Sequence, residues 1–236
     1  MKLLLITLWL AVPLAMAAYH FGPGQELLKN DAAARHLAAA TRATAEGDAA
    51  AAIEAYEKAM TALPGNAVEQ TRQIRLARAK VRMPNGQLPE AHDDLDALYA
   101  ELAADPQADP ELVRETRAAL GTAKYYLAWL MRLEGGTEEE WRPQIEASRQ
   151  HFRQLAEEAQ TAGETTLVTT HRESLESAIR LGRMDLTELQ GLPLPKQCKN
   201  CKSGKCKSKG PAKKEQKKPE DSRGAGKTQG PDQSGS

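Results

Sequence analysis

Three cysteines near the carboxyl end are the residues of this chain whose types and spacing best suit chemistry. Cys198, Cys201 and Cys206 form a C-x2-C pair followed by a C-x4-C pair, and the sequence has no other cysteine. A C-x2-C pair has the spacing of zinc ligands and of redox pairs. Structural zinc takes four ligands, and neither a His nor a fourth Cys follows these three. Three interpretations stay open: a disulfide with one free or cross-linking thiol, a metal site, and no role.

No other group of residues forms a catalytic or cofactor-binding pattern. The stretch from Gly224 to Thr228 ends like a phosphate-binding loop, but the first glycine of that motif is replaced by Asp221. None of the five histidines pairs with another at metal-ligand spacing, and His171 lies on an apolar helical stripe that predicts a core position. The sequence contains no serine elbow, Cys–His pair or dinucleotide fingerprint. We therefore expect a protein that is not an enzyme and that binds no cofactor.

The carboxyl-terminal residues 191–236 have the composition of a disordered tail. From residue 192 onward there are twelve Lys and Arg against four Asp and Glu, and no aromatic or branched aliphatic residue follows Leu194. Such a segment cannot bury enough apolar surface to offset the entropy of ordering. The tail carries a charge of about +8, which leaves about −8 on the rest of the neutral chain. It could act as a tether to anionic lipids or envelope polymers, whereas the absence of interleaved aromatic residues argues against nucleic acid.

The amino-terminal residues 1–19 resemble a secretion signal. Lys2 precedes an apolar run over residues 3–19 that is interrupted only by Thr7 and Pro13, and residues 15–17 form a small-x-small cleavage site. The same run is just long enough to remain uncleaved as a membrane anchor. Either interpretation places the following residues outside the cytoplasm, secreted, periplasmic or anchored. A linker is predicted over residues 20–30.

Residues 31–190 are predicted to form one all-α domain. The segment is rich in Ala, Glu, Arg and Leu and shows no alternating strand pattern. Good N-cap residues precede four of the predicted helices: Asp48, Asn66 with Glu69, Asp109, and Thr137 with Glu140. The seven helices expected from these signals are residues 31–46, 48–64, 66–82, 88–103, 109–134, one beginning at 137, and 165–183.

The stretch from Gly47 to Pro64 has the most regular pattern in this domain. Small residues at Ala52 and Ala59 flank Tyr56 on one helical stripe, so that a neighbouring helix can approach closely while the tyrosine fills the remaining space. With Gly47 before it and Pro64 at its end, this stretch resembles the second helix of a tetratricopeptide repeat. The resemblance covers residues 33–64. It implies stacked antiparallel helical hairpins that bind another protein.

Weaker matches to the same pattern occur later in the chain. The large side chains Tyr56, Leu95 and Phe152 occupy matching positions, but they are 39 and 57 residues apart, whereas the family's period is about 34 residues. A Leu-Gly pair typical of the family's first helix reappears at Leu120 and Gly121. We expect an irregular, tetratricopeptide-like array with packing positions at Ala52, Tyr56, Ala59, Pro64, Leu95 and Phe152.

Three functional hypotheses follow from the sequence. The first is an exported helical scaffold that binds a protein partner through its array. The second is a thiol or metal module displayed on the cysteine-containing tail, and the third is a polyanion tether that works through the tail lysines. The sequence does not identify the partner.

Overall fold

The computed structural model describes residues 2–21, 23–195 and 197. Within these residues the regular structure is helical and no strand is formed, so the all-α prediction is confirmed. A short 3-10 turn, Met83–Asn85, joins the fourth and fifth helices. The helices are α1 (Lys2–Phe21), α2 (Pro23–Glu46), α3 (Ala49–Ala62), α4 (Val68–Arg82), α5 (Leu88–Ala103), α6 (Pro110–Leu133), α7 (Glu138–Ala162), α8 (Thr165–Arg183) and α9 (Leu186–Gln190).

Three of the four predicted helix caps are present. The Asp48 carboxylate accepts a hydrogen bond from the Ala51 backbone N–H at 3.0 Å, and Asp109 accepts one from Glu111. Thr137 and Glu140 form a reciprocal capping box at the start of α7. These caps satisfy backbone donors that have no partner inside the helix.

The prediction at Asn66 is wrong. The N-cap of α4 is Ala67, which offers no side-chain hydrogen bond. The Ala67 N–H instead bonds to the carbonyl of Pro64 at 3.0 Å, and this turn moves the start of the helix one residue along the chain. Sequence pattern alone does not reveal a turn that depends on the preceding proline.

Helix α2 begins earlier than expected, because residues 23–30 belong to the helix and not to a linker. Helix α1 ends at Phe21 and α2 begins at Pro23. Proline is well suited to the first position of a helix, where its missing N–H has no partner in any case. The Gln, Glu, Leu and Lys residues that follow are good helix formers.

Each helix from α2 to α8 packs against its neighbour in the sequence, and α6 also contacts α4 and α9. The alanine-rich core of α2, α3 and α4 contains Ala40, Ala43, Ala52, Tyr56, Ala59 and Ile74. A larger core extends from α4 to α9, and it includes Leu88, Leu95, Leu98, Leu102, Leu120, Ile145, Leu181 and Leu189. The described part of the domain is therefore an array of neighbouring helices, as expected for a repeat-like fold.

A buried arginine connects α6 to the carboxyl end of α8. Arg132 of α6 donates hydrogen bonds to the carbonyl oxygens of Leu181 and Met184 at the end of α8. Its guanidinium also lies 4.6 Å from the centre of the Trp141 ring. The negative end of the α8 dipole and the aromatic face both favour a cation here. Burial lowers the pKa of Arg132, while Asp185 acts in the opposite direction.

Candidate functional site

The residues predicted to pack the repeats lie in the interior of the protein. Ala52, Tyr56 and Ala59 are buried along one face of α3, where they meet the alanines of α2. Leu95 and Phe152 are also buried, and Pro64 is half-buried just after the extended residue Leu63. These residues hold helices together, so a binding surface must be found among other side chains.

The Leu-Gly pair of α6 meets the predicted packing residues of α7. A Cβ atom added to Gly121 would lie 3.2 Å from the Phe152 ring and 3.3 Å from the Cβ of His151. The Ser148 hydroxyl donates a hydrogen bond of 2.8 Å to the Gly121 carbonyl in the buried interface. Glycine at this position allows α6 and α7 to approach closely, and the approach fixes the orientation of both helices.

A groove of about 430 Å³ lies across α4, α6 and α8, and two side chains of α7, Leu155 and Ala159, are part of its lining. The face of α6 that lines it repeats at steps of three and four residues, as one helical stripe must. Four of the lining side chains are buried: Met83, Ala119, Leu155 and Ala159. The others are Lys80 of α4, Glu111, Arg114, Glu115, Ala118 and Thr122 of α6, the α8 N-cap Glu164, and Leu167 and His171 of α8.

Ion pairs connect α6 to α4 and to the start of α8 along the groove. The ammonium of Lys80 lies 2.7 Å from a carboxylate oxygen of Glu115, which ties α4 to α6. Arg114 donates a hydrogen bond to Glu111 within α6, and its other terminal nitrogen lies 3.7 Å from Glu164. At 3.7 Å, the Arg114 nitrogen and the Glu164 oxygen are too far apart for a hydrogen bond. The Oε2 atom of Glu164 is buried and has no hydrogen-bond partner.

His171 and Leu167 line the groove, although the sequence predicts a core position for His171. His171 is half-buried and Leu167 is 40% exposed. The prediction of a core position for His171 is therefore wrong. Helix α8 follows α7 near the end of the array, so part of its apolar stripe faces the groove. Burial lowers the pKa of His171, against the smaller effect of Glu158 and Glu164, which leaves the ring neutral near pH 7.

A ladder of arginines behind the groove was missed by the sequence analysis. Four arginines of α4 pair with carboxylates on α3, on α5 and just after α5. Arg72 donates to Glu101 and Asp105 at 2.8 and 2.7 Å. The hydrogen bond from Arg72 lowers the pKa of each of these carboxyl groups. The remaining pairs are Arg75 with Asp94 and Glu101, Arg78 with Asp94 and Glu57, and Arg82 with Glu57.

This ladder fixes α4, and with it one wall of the groove. The signal was present in the sequence, since Arg72, Arg75, Arg78 and Arg82 repeat at helical steps of three and four. Apart from Glu69, which lies 3.8 Å from Arg72, their acidic partners lie 16 to 33 residues away, so most of the pairing required the structure.

A second, polar depression lies where α5, α6 and α7 meet. Arg117 donates to the Tyr99 hydroxyl at 3.1 Å and also pairs with Glu158. The His151 ring meets the edge of Tyr99, with ring centres 5.4 Å apart. Burial, together with the nearby cations Lys124 and Arg117, lowers the pKa of His151 to about 4. The cations and carboxylates here pair with each other, which makes this depression a weaker candidate for a ligand site than the groove.

The predicted chemistry of the tail lies outside the described residues. Cys198, Cys201 and Cys206 all belong to that part of the chain, as does most of the predicted disordered tail. In the described ranges, no group of three His, Cys, Asp or Glu side chains could hold a metal ion.

Among the described residues, no helix is both long enough and apolar enough to cross a membrane. Residues 3–19, predicted as a signal or a retained anchor, lie within α1. Described side chains of this segment, such as Trp9 and Leu14, are exposed.

No protein-family model, curated protein or solved structure matches this chain. The resemblance of residues 33–64 to a tetratricopeptide repeat therefore stays a prediction from sequence pattern.

Proposed function

We propose that this protein is an exported, non-enzymatic helical scaffold that binds another protein through the groove across α4, α6 and α8. The observation that carries the proposal is the composition of that groove: apolar side chains at its base, ion pairs along its walls, and one partly exposed leucine. Protein-binding surfaces commonly combine an apolar centre with a polar rim. The volume of the groove, about 430 Å³, lies within the range of about 300–1,000 Å³ typical of ligand clefts.

The architecture supports the same proposal. In a helical array, alternate helices line a common face that can receive an extended or helical segment of a partner. Helices α4 and α6 are alternate members of the array and contact each other directly. The resemblance of residues 33–64 to a tetratricopeptide repeat favours a binding function as well.

Photo-cross-linking tests this function. A photoreactive amino acid at Ala118, in the groove, should form a specific adduct with a protein of the source envelope fraction. The same amino acid at Arg153, an exposed position on α7 that does not line the groove, is the control. Loss of the Ala118 adduct in a Leu167→Glu background would support the groove. Equal adducts from both positions would contradict the proposal.

Deletion of residues 192–236 separates the scaffold from the two tail hypotheses. If the groove carries the function, the shortened protein should keep its cross-link at Ala118. If the cysteines or the tail lysines carry it, binding should be lost. Replacement of Cys198, Cys201 and Cys206 by Ser then distinguishes a thiol or metal module from a polyanion tether.

Export is the part of the proposal that rests on residues 1–19. A fused reporter that works only outside the cytoplasm should be active when this segment is intact. Mass spectrometry of the mature amino terminus should find cleavage after Ala17. A reporter that works only in the cytoplasm would contradict export.

A further inference from the structure

The carboxylates of the groove are not matched by its cations. Glu111, Glu115 and Glu164 line it, against Lys80 and Arg114. The Lys80 ammonium is engaged by Glu115, and the Arg114 guanidinium donates to Glu111. Glu164 is therefore left with a loose contact of 3.7 Å to Arg114 and with one buried oxygen that accepts no hydrogen bond.

An unpaired carboxylate oxygen in a partly buried site is unfavourable. Removing it from water costs free energy that only a hydrogen bond or a cation can recover. The Glu164 side chain stays 37% exposed, so a ligand ammonium or guanidinium would pair with its other oxygen, Oε1, to which Arg114 makes only a 3.7 Å contact. The lowered pKa of His171 keeps the neighbouring imidazole uncharged near pH 7, so the ring neither neutralises Glu164 nor repels such a cation.

The apolar part of the groove lies beside this carboxylate. Leu167 follows the N-cap residue Glu164 by three residues, and both side chains line the groove. The small side chains of Ala118 and Ala119 leave space opposite them. A ligand that pairs with Glu164 can therefore also cover Leu167, provided that its cationic and apolar side chains are neighbours on one surface.

We infer that the partner of this groove presents a segment in which a Lys or Arg lies next to an apolar side chain. The cation pairs with Glu164, and the apolar side chain covers Leu167. The inference rests on the function proposed above and specifies its partner by charge. The excess of one carboxylate over the cations of the groove disfavours an acidic segment.

Binding of two peptides to the full-length protein tests this inference. The first is a fluorescein-labelled amphipathic helical peptide of Leu, Ala and Lys, and the second has every Lys replaced by Glu. At physiological salt, fluorescence anisotropy should detect binding of the Lys peptide and none of the Glu peptide. Glu164→Gln should weaken binding of the Lys peptide about tenfold, because the amide keeps a hydrogen-bond acceptor but loses the charge that attracts the cation. Leu167→Ser should weaken it about fivefold.

Glu173→Gln is the matched control, because Glu173 is an exposed carboxylate of α8 outside the groove. It removes the same charge and should leave the affinity unchanged. Equal effects of Glu164→Gln and Glu173→Gln would reduce the binding to general attraction by an acidic protein and overturn the inference. Binding of the Glu peptide would overturn it as well.

The failure of this inference can be told apart from the failure of the proposed function. A partner cross-linked at Ala118, combined with no binding of the Lys peptide, would leave the scaffold function standing and reject the basic partner. A dimer in light scattering that dissociates on Glu164→Gln would assign the groove to a second copy of the chain and overturn the inference.

Discussion

The α2–α3 and α6–α7 hairpins achieve close packing by different means. In α2–α3, alanines from both helices face each other along a stripe, and Tyr56 fills the remaining space. In α6–α7, the close approach is concentrated at Gly121, where Phe152 and His151 contact the glycine and Ser148 bonds to its carbonyl. An alanine stripe spreads the contact over several turns, whereas a glycine concentrates it at one point. The second hairpin should therefore be more sensitive to a single added side chain.

Removal of the large side chains should have the largest effect in both hairpins. Phe152→Ala and Tyr56→Ala each open a cavity in a buried interface, at an expected cost of about 3–5 kcal/mol in the free energy of unfolding. Urea denaturation of the purified protein measures this cost. If Tyr56→Ala melts like the parent while Phe152→Ala does not, residues 33–64 are not a packed hairpin.

An added side chain at Gly121 tests the point contact. Gly121→Val places methyl groups against the Phe152 ring and should reduce stability by about 1–3 kcal/mol. Gly182→Ala in α8 is the control, because its new Cβ would lie 3.9 Å from Ile145, an ordinary contact. The control should raise stability by about 0.5–1 kcal/mol through helix propensity. A stabilising Gly121→Val would remove the distinction between the two hairpins.

An added side chain in the alanine stripe should cost less than one at Gly121, because several turns share the displacement. Ala52→Trp overpacks the α2–α3 contact, with an expected cost near the lower end of about 1–3 kcal/mol. Ala50→Trp is its control, since Ala50 is an exposed residue of the same helix and should change stability by less than about 0.5 kcal/mol. Equal melting of the two variants would contradict close packing at Ala52.

Acid should weaken the packing around α6 and α7 through His151. Its pKa is lowered to about 4 in the folded protein, mainly by burial, so the unfolded chain binds the proton more readily. Stability should therefore fall as the pH decreases from about 6.5 toward 4, by about 1–2 kcal/mol after allowance for solvent screening. The urea midpoint of the parent should fall over this range more steeply than that of His151→Gln. His171 contributes with the same sign. Parallel curves for parent and variant would contradict the assignment to His151.

Much of the fold could be predicted from the sequence because helix ends are local features. Asp48, Asp109 and Thr137 cap their helices through bonds to residues two or three positions along the chain, so their types and spacing suffice. The interior positions of Tyr56 and Phe152 were predictable for a similar reason, since the stripe of one helix indicates its buried face. Asn66 failed as a cap where a turn after Pro64 displaced the helix start.

The groove could not be predicted, because its residues carry no distinctive sequence signal. Ala118, Thr122 and Glu164 carry no motif, and they become a site only where residues of α4, α6, α7 and α8 line one groove. The sequence also could not predict that the buried oxygen of Glu164 lacks a hydrogen-bond partner. That depends on the folded structure, in which Arg114 donates to Glu111. Such a site is a property of the assembled helices.

The contact of each helix with its neighbour in the sequence has a consequence for how this chain reaches its structure. Contacts between neighbours require only short loops to close, and short loops cost little entropy. The array can therefore assemble progressively as the chain emerges, one helix adding to the last, without waiting for distant segments. The hydrogen bonds of Arg132 of α6 should form late in this assembly. Their acceptors, the Leu181 and Met184 carbonyls, are in place only after the end of α8 has formed.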